Sequence, residues 1–138
     1  MRVAVTGATG FVGRRLVARL LRDHHVVRAL VRDVHDATLP GDVERVALDL
    51  EKPVDVPAAV SGVDAVVHLA AFLPPSYADA AHARRCLDVN ALGTLAVAKA
   101  AQDAGVPVIV GLSSGNAYRR AAHAVTESDP LYPSERAA

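Results

Sequence analysis

Between an apolar run and a helical pattern, residues 6–13 read Thr-Gly-Ala-Thr-Gly-Phe-Val-Gly, with glycines at 7, 10 and 13. This G-x-x-G-x-x-G element constrains the fold more than any other part of the chain. Residues 3–6, Val-Ala-Val-Thr, have the continuous apolar character of a strand buried on both faces. After Gly13, Leu16, Val17, Leu20 and Leu21 recur at helical spacing. In such a strand–turn–helix unit Gly7 lets the chain turn sharply, Gly10 lets a pyrophosphate approach the backbone, and Gly13 lets the helix pack closely against the sheet. The helix start then presents free N–H groups and the positive end of its dipole to an anion. A Walker-type loop does not fit, because no Gly-Lys-Ser/Thr follows. A tight turn with no ligand is the plain alternative, and the strand–turn–helix setting argues against it.

The rest of the chain continues the alternation. Residues 26–31, 43–50, 64–71 and 106–112 read as further strands, and Pro40-Gly41 as a turn. Residues 77–104 form a long Ala-rich segment without proline, closed by Gly105, which predicts a helix. Strands alternating with helices imply an α/β fold, a Rossmann-type doubly wound parallel sheet of about five strands. Neither a linker nor an internal repeat interrupts residues 1–138, so one domain is expected. From Tyr118 onward no clear period is visible.

Charge and composition narrow the function. Basic and acidic residues number 15 each, so no cationic excess is available for a nucleic acid. No apolar stretch reaches the ~20 residues that span a bilayer. A strand follows Met1 directly and leaves no room for a leader; with the single Cys86, unable to form an internal disulfide, this leads us to expect a cytoplasmic protein. Cys86 reads as a small packing residue on the long helix. The six histidines are scattered without metal-ligand spacing, so no metal is expected.

Five motifs then fall in order: TGATGFVG at 6–13, Asp49-Leu50, HLAA at 68–71, VNALGT at 89–94 and SSGNAY at 113–118. Together they resemble the short-chain dehydrogenase/reductase superfamily, in its extended branch of nucleotide-sugar epimerases, dehydratases and related reductases. The resemblance implies a cofactor cradle in which Gly7, Gly10 and Gly13 hold the pyrophosphate, flanked by Phe11 and Val12. It places Asp49 and Leu50 at the adenine, and Leu69, Ala70 and Ala71 beneath the ribose and nicotinamide side. Asn90 corresponds to the family's helix asparagine, thought to hold a water or shape the active site. Ser114 corresponds to the catalytic residue that hydrogen-bonds the substrate oxygen. NAD-preferring members carry Asp at the end of the second strand, where this chain has Val31; Arg32 follows and suits a 2′-phosphate, so NADP is favoured over NAD. His24 stands where a glycine is frequent in the family.

The resemblance also defines what is not found. The family's base is the tyrosine of a Tyr-x-x-x-Lys pair, which the alignment of motifs puts just past Ala138. Tyr132 is followed by Arg136 rather than Lys, and Arg119 stands where a Gly usually follows the serine motif. The chain is therefore expected to be truncated before the catalytic helix and the substrate lobe, and inactive alone. Two functions stay open: the NAD(P)-binding portion of an oxidoreductase or epimerase/dehydratase with a small-molecule substrate, or a non-catalytic dinucleotide-binding module such as a redox sensor or an inactive gene remnant. Family members usually form homodimers through the long helix that here carries Asn90. With the second helix of that bundle missing, this chain is expected to associate non-specifically.

Overall fold

A computed structural model describes residues 1–76, 78–119 and 122–131. Five strands, β1 (Arg2–Thr6), β2 (Val26–Val31), β3 (Glu44–Ala47), β4 (Ala65–His68) and β5 (Val108–Gly111), form one sheet in the order β3-β2-β1-β4-β5. Every pairing is parallel, with Val3 level with Val27 on one side and Ala65 on the other. The helices are α1 (Phe11–Arg22), α2 (Val56–Ala59), α3 (Ala80–Cys86) and α4 (Thr94–Asp103), the last two joined by a π-helical stretch, Leu87–Gly93. Among the described residues, no helix is long and apolar enough to cross a membrane.

Because side chains alternate across a strand, a sheet covered on both faces needs apolar residues at successive positions. Val3, Val5, Val27 and Ala29 pack with Val17 of α1 on one face. Ala4, Leu30 and Val66 point the other way, into Val56 and Ala59 of α2 and Val97, Ala100 and Ala101 of α4. Fully buried valines such as Val5, Val17 and Val66 each stabilise by about 1.5–3 kcal/mol relative to exposure. Arg28 ties β2 to the end of α2: its guanidinium donates to the carbonyls of Ala59 and Ser61 at 3.1 and 2.8 Å while pairing with Glu44. Those carbonyls lack helical donors, so the arginine closes the helix end.

Several boundaries differ from the sequence expectation. The third strand ends at Ala47, after which Leu48 and Leu50 turn inward to the core. The fourth ends at His68, where the chain leaves the sheet toward the glycine turn. β5 is an edge, with Val108, Ile109 and Val110 all between 44% and 50% exposed. The long helix begins at Ala80 because Asp79 caps it, accepting from the Ala81 N–H at 2.8 Å. Tyr77, where the helix was expected to start, lies outside the described residues, as do Tyr132 and Arg136. Helix α2 and the 3-10 turn before it (Pro53–Asp55) were not anticipated, since their prolines, Pro53 and Pro57, read as breakers until they are seen within the first helical turns.

Candidate functional site

The strand order places a cleft. The chain passes from β1 to β2 on one side and returns to β4 on the other, so the carboxyl ends of β1 and β4 part and leave a crevice between the loops that follow. The glycine turn forms one wall. Gly7 has φ +66°, and a β-carbon on it would lie 2.7 Å from the Ala70 nitrogen. The β1 and β4 loops therefore touch backbone to backbone. Gly10 caps α1 without a side-chain hydrogen bond, and its own N–H donates to Gly7 O at 3.0 Å. A β-carbon on Gly13 would lie 2.0 Å from Gly7 O and 2.8 Å from the Ala8 Cα. Gly13 thus seats the helix directly against its own turn.

Two chambers open beside this turn. Gly7 and Gly10, with Val31, Arg32, Asp49, Leu50, Leu69, Ala70 and Ala71, line the first, together with Glu51, Phe72 and Arg85. Asp49 is exposed, and its carboxylate accepts from the Glu51 N–H at 3.0 Å. Leu50 is buried, and a β-carbon on Gly93 would lie 3.0 Å from the Leu50 Cβ, so the π-helical stretch presses against this chamber's floor. Arg85 stacks its guanidinium 4.5 Å over the Phe72 ring and pairs with Glu51 at 2.7 Å. Arg32 is exposed and makes no ion pair with another described residue. The second chamber is lined by Phe11, Val12, Gly13, Asn90, Cys86 and Ser114, with Leu69, Ala70 and Ala71 shared between the two. Phe11 is 70% exposed, with Arg15 4.0 Å over its ring. Ser114 follows β5, and its carbonyl accepts from Ala117 N–H as a 3-10 turn begins.

A buried polar chain lies between the chambers and the sheet. The imidazole of His68 is 8% exposed and contacts Thr6 Oγ1 at 2.8 Å through Nδ1 and Thr94 Oγ1 at 2.9 Å through Nε2. Thr6 Oγ1 also accepts from the N–H groups of Leu69 and Ala70, both at 3.1 Å. Burial alone pushes the imidazole below the usual histidine range. Beside it, Asn90 binds the backbone of Phe72 twice, accepting from its N–H at 2.7 Å and donating to its carbonyl at 2.9 Å.

The residues assigned to the cofactor from sequence, together with Ser114, lie around this one cleft, each lining one chamber or both. Asn90, which alone reads as a solvent-facing helix residue, is exposed and also staples the loop after β4. Cys86 lines the second chamber half-buried rather than packing in the core. Sequence reasoning passed over Thr94, Arg85 and Phe72, and set His68 aside as a lone histidine. A histidine next to the end of a strand that borders a glycine turn was the available signal for His68; for Arg85 and Phe72 none existed.

Known proteins share this arrangement. An uncharacterised protein of Mycobacterium tuberculosis is 36% identical over 116 residues, covering 84% of this chain and 12% of its own. UDP-glucose 4-epimerase of Mycolicibacterium smegmatis is 33% identical over 153 residues, covering 96% of this chain and 42% of its own. The crystal structure of a short-chain dehydrogenase/reductase superfamily protein from Agrobacterium tumefaciens with bound NAD superposes with a TM-score of 0.82 at 36% identity, over 98% of this chain and 40% of that one. The chain thus spans less than half the length of each of these relatives. The family model for the NAD dependent epimerase/dehydratase family matches residues 3–136. With its parallel sheet, its glycine turn at the switch point and this match along nearly its whole length, the chain belongs to the NAD dependent epimerase/dehydratase family.

Proposed function

We propose that the cleft binds a nicotinamide dinucleotide and that the chain is the cofactor-binding portion of an oxidoreductase or a nucleotide-sugar epimerase/dehydratase. The carrying observation is the start of α1: it is capped only by Gly10, with no side chain on its first N–H groups, and it opens where β1 and β4 diverge. A β-carbon at Gly10 would meet only Gly7 O, at 3.2 Å, leaving room for a phosphate beside the helix. In this reading Gly7, Gly10 and Gly13 shape the pyrophosphate cradle, flanked by Phe11 and Val12. Asp49 and Leu50 face the adenine, and Leu69, Ala70 and Ala71 form the floor. Asn90 keeps the loop after β4 in place, and Ser114 orients the substrate oxygen at the far end. When bound, the nicotinamide supplies hydride transfer.

NADP is the preferred form. Val31 offers no carboxylate to ribose hydroxyls, and Arg32 has no acidic partner among the described residues. Neighbouring Asp33 is turned to its own loop, accepting from the His35 N–H at 2.8 Å. The 138 residues hold no Tyr-x-x-x-Lys, which favours cofactor binding without turnover for this chain taken alone. Fluorescence titration of NADPH and NADH against the chain tests the reading: saturable binding that weakens in Gly10→Ala supports it, and no binding of either nucleotide overturns it.

A further inference from the structure

The chain Thr6–His68–Thr94 has a direction that the geometry dictates. Thr94 Oγ1 donates its one proton to Asn90 O at 2.8 Å, so toward His68 Nε2 it can only accept. Thr6 Oγ1 already accepts from two backbone N–H groups, which fill its two lone pairs, so toward His68 Nδ1 it can only donate. Both ends independently demand the same ring: neutral, with the proton on Nε2. We infer that His68 is a positioning residue held in that single tautomer by this relay, and that it keeps the Leu69 and Ala70 backbone floor of the cleft in place.

Protonation reveals what the relay does. An Nδ1–H would point at Thr6 Oγ1, whose lone pairs are both occupied, so to accept it Thr6 must release either Ala70 N–H or Leu69 N–H, the latter keeping its 3.3 Å bond to Thr6 O. Those two residues line both chambers. The far end is unaffected, since Nε2 donates in either state. The floor therefore loosens from the Thr6 side, next to the glycine turn. Among the described residues no charge offsets this. β1 offers neutral Thr6, the long helix offers Asn90 and Thr94, and β5 and the residue after it offer Gly111 and Leu112. Among the described residues lining the second chamber, the only other titratable side chain is the thiol of Cys86. The consequence for a nucleotide, unlike the relay itself, rests on the proposed cofactor cleft.

The test is NMR on the 15N-labelled 138-residue chain from about pH 8 down to about pH 4, because burial holds His68 below the usual histidine range. Long-range 1H–15N correlations should show protonated Nε2 and bare Nδ1 on His68 at neutral pH. As the ring titrates, the amide signal of Leu69 or Ala70 should shift together with it, and where Ala70 is the one released its exchange rate should rise. The affinity for NADPH should then fall by up to about tenfold per pH unit below the His68 value, and this slope should vanish in His68→Asn and His68→Gln. An Nδ1–H tautomer, or both amide signals staying unmoved while the ring titrates, would overturn the relay. An unchanged pH slope in both variants would overturn its role in binding. If the NMR result holds but NADPH binds at no pH, the cofactor reading fails and the relay stands.

Discussion

Gly13 sits so close to Gly7 that a β-carbon on it would lie 2.0 Å from the Gly7 carbonyl oxygen. The nearest atoms are all backbone, of Gly7 and Ala8, so no side chain can swing aside to make room. Gly13→Ala should therefore destabilise the chain by about 3 kcal/mol or more, at the upper end of overpacking effects. Gly10 is different: its added carbon would meet one atom at 3.2 Å. Gly10→Ala should cost about 1 kcal/mol, the ordinary penalty for a poor helix cap, while weakening nucleotide binding. Urea denaturation of both variants beside a nucleotide titration separates the two roles. Equal losses of stability would contradict the geometry.

His24 ends α1 in the left-handed region, at φ 61°, with its N–H bonded to Leu21 O and that of His25 to Leu20 O. A residue with a β-carbon is strained there by roughly 1–2 kcal/mol, while glycine is not. The flexibility glycine adds to the unfolded chain offsets part of that gain. His24→Gly should accordingly stabilise the fold by about 0.5–1 kcal/mol, seen as a higher denaturation midpoint at unchanged slope. A lower midpoint would show that the imidazole makes up for the strain.

Much of this architecture is legible in the residues, and the parts that are not share a cause. Glycine spacing and uninterrupted apolar runs declare the strand–turn–helix unit and the parallel sheet, because both depend on local sequence. The π-helical stretch is not declared, because what accompanies it is tertiary: Gly93 against Leu50 and Thr94 against His68. Asn90 is exposed as its sequence position reads, but its partner, the backbone of Phe72, leaves no mark in the sequence. His68 looks solitary in the chain, yet its hydroxyl partners come from positions 62 residues before it and 26 after. Residue spacing shows which face a side chain occupies, but not what another element brings to it.

The proposed preference for NADP rests on Arg32. Its guanidinium is exposed at the first chamber without an acidic partner among the described residues, and Asp33 is committed to the His35 N–H. Charge-assisted hydrogen bonds contribute about 1.5–3 kcal/mol, so Arg32→Ala should weaken NADPH roughly ten- to hundredfold. NADH lacks the 2′-phosphate and should change by less than about threefold. Calorimetric titration of both nucleotides checks the difference. A wild-type preference for NADH, or parallel losses for both nucleotides, would contradict the assignment.

The last prediction is that the 138-residue chain turns over no substrate, even where it binds the nucleotide. A positioned general acid/base contributes about 10²–10⁴-fold, and substrate positioning adds to that. Ser114 lines the second chamber at the end of β5, where it can orient an oxygen. A serine hydroxyl is nevertheless too weak an acid and base near neutral pH to move the proton that must accompany hydride transfer. His68 cannot stand in for it, because both ring nitrogens are bound to hydroxyls within the fold. Of the three tyrosines, none is followed four positions later by lysine; Tyr77 and Tyr118 are followed by alanines and Tyr132 by Arg136. An absorbance assay of NADPH and NADH consumption over a panel of sugar nucleotides and simple carbonyls should therefore show only the background rate. Turnover that disappears in Tyr132→Phe would make that tyrosine the base. Turnover that survives it but disappears in Ser114→Ala would mean the serine does more than orient.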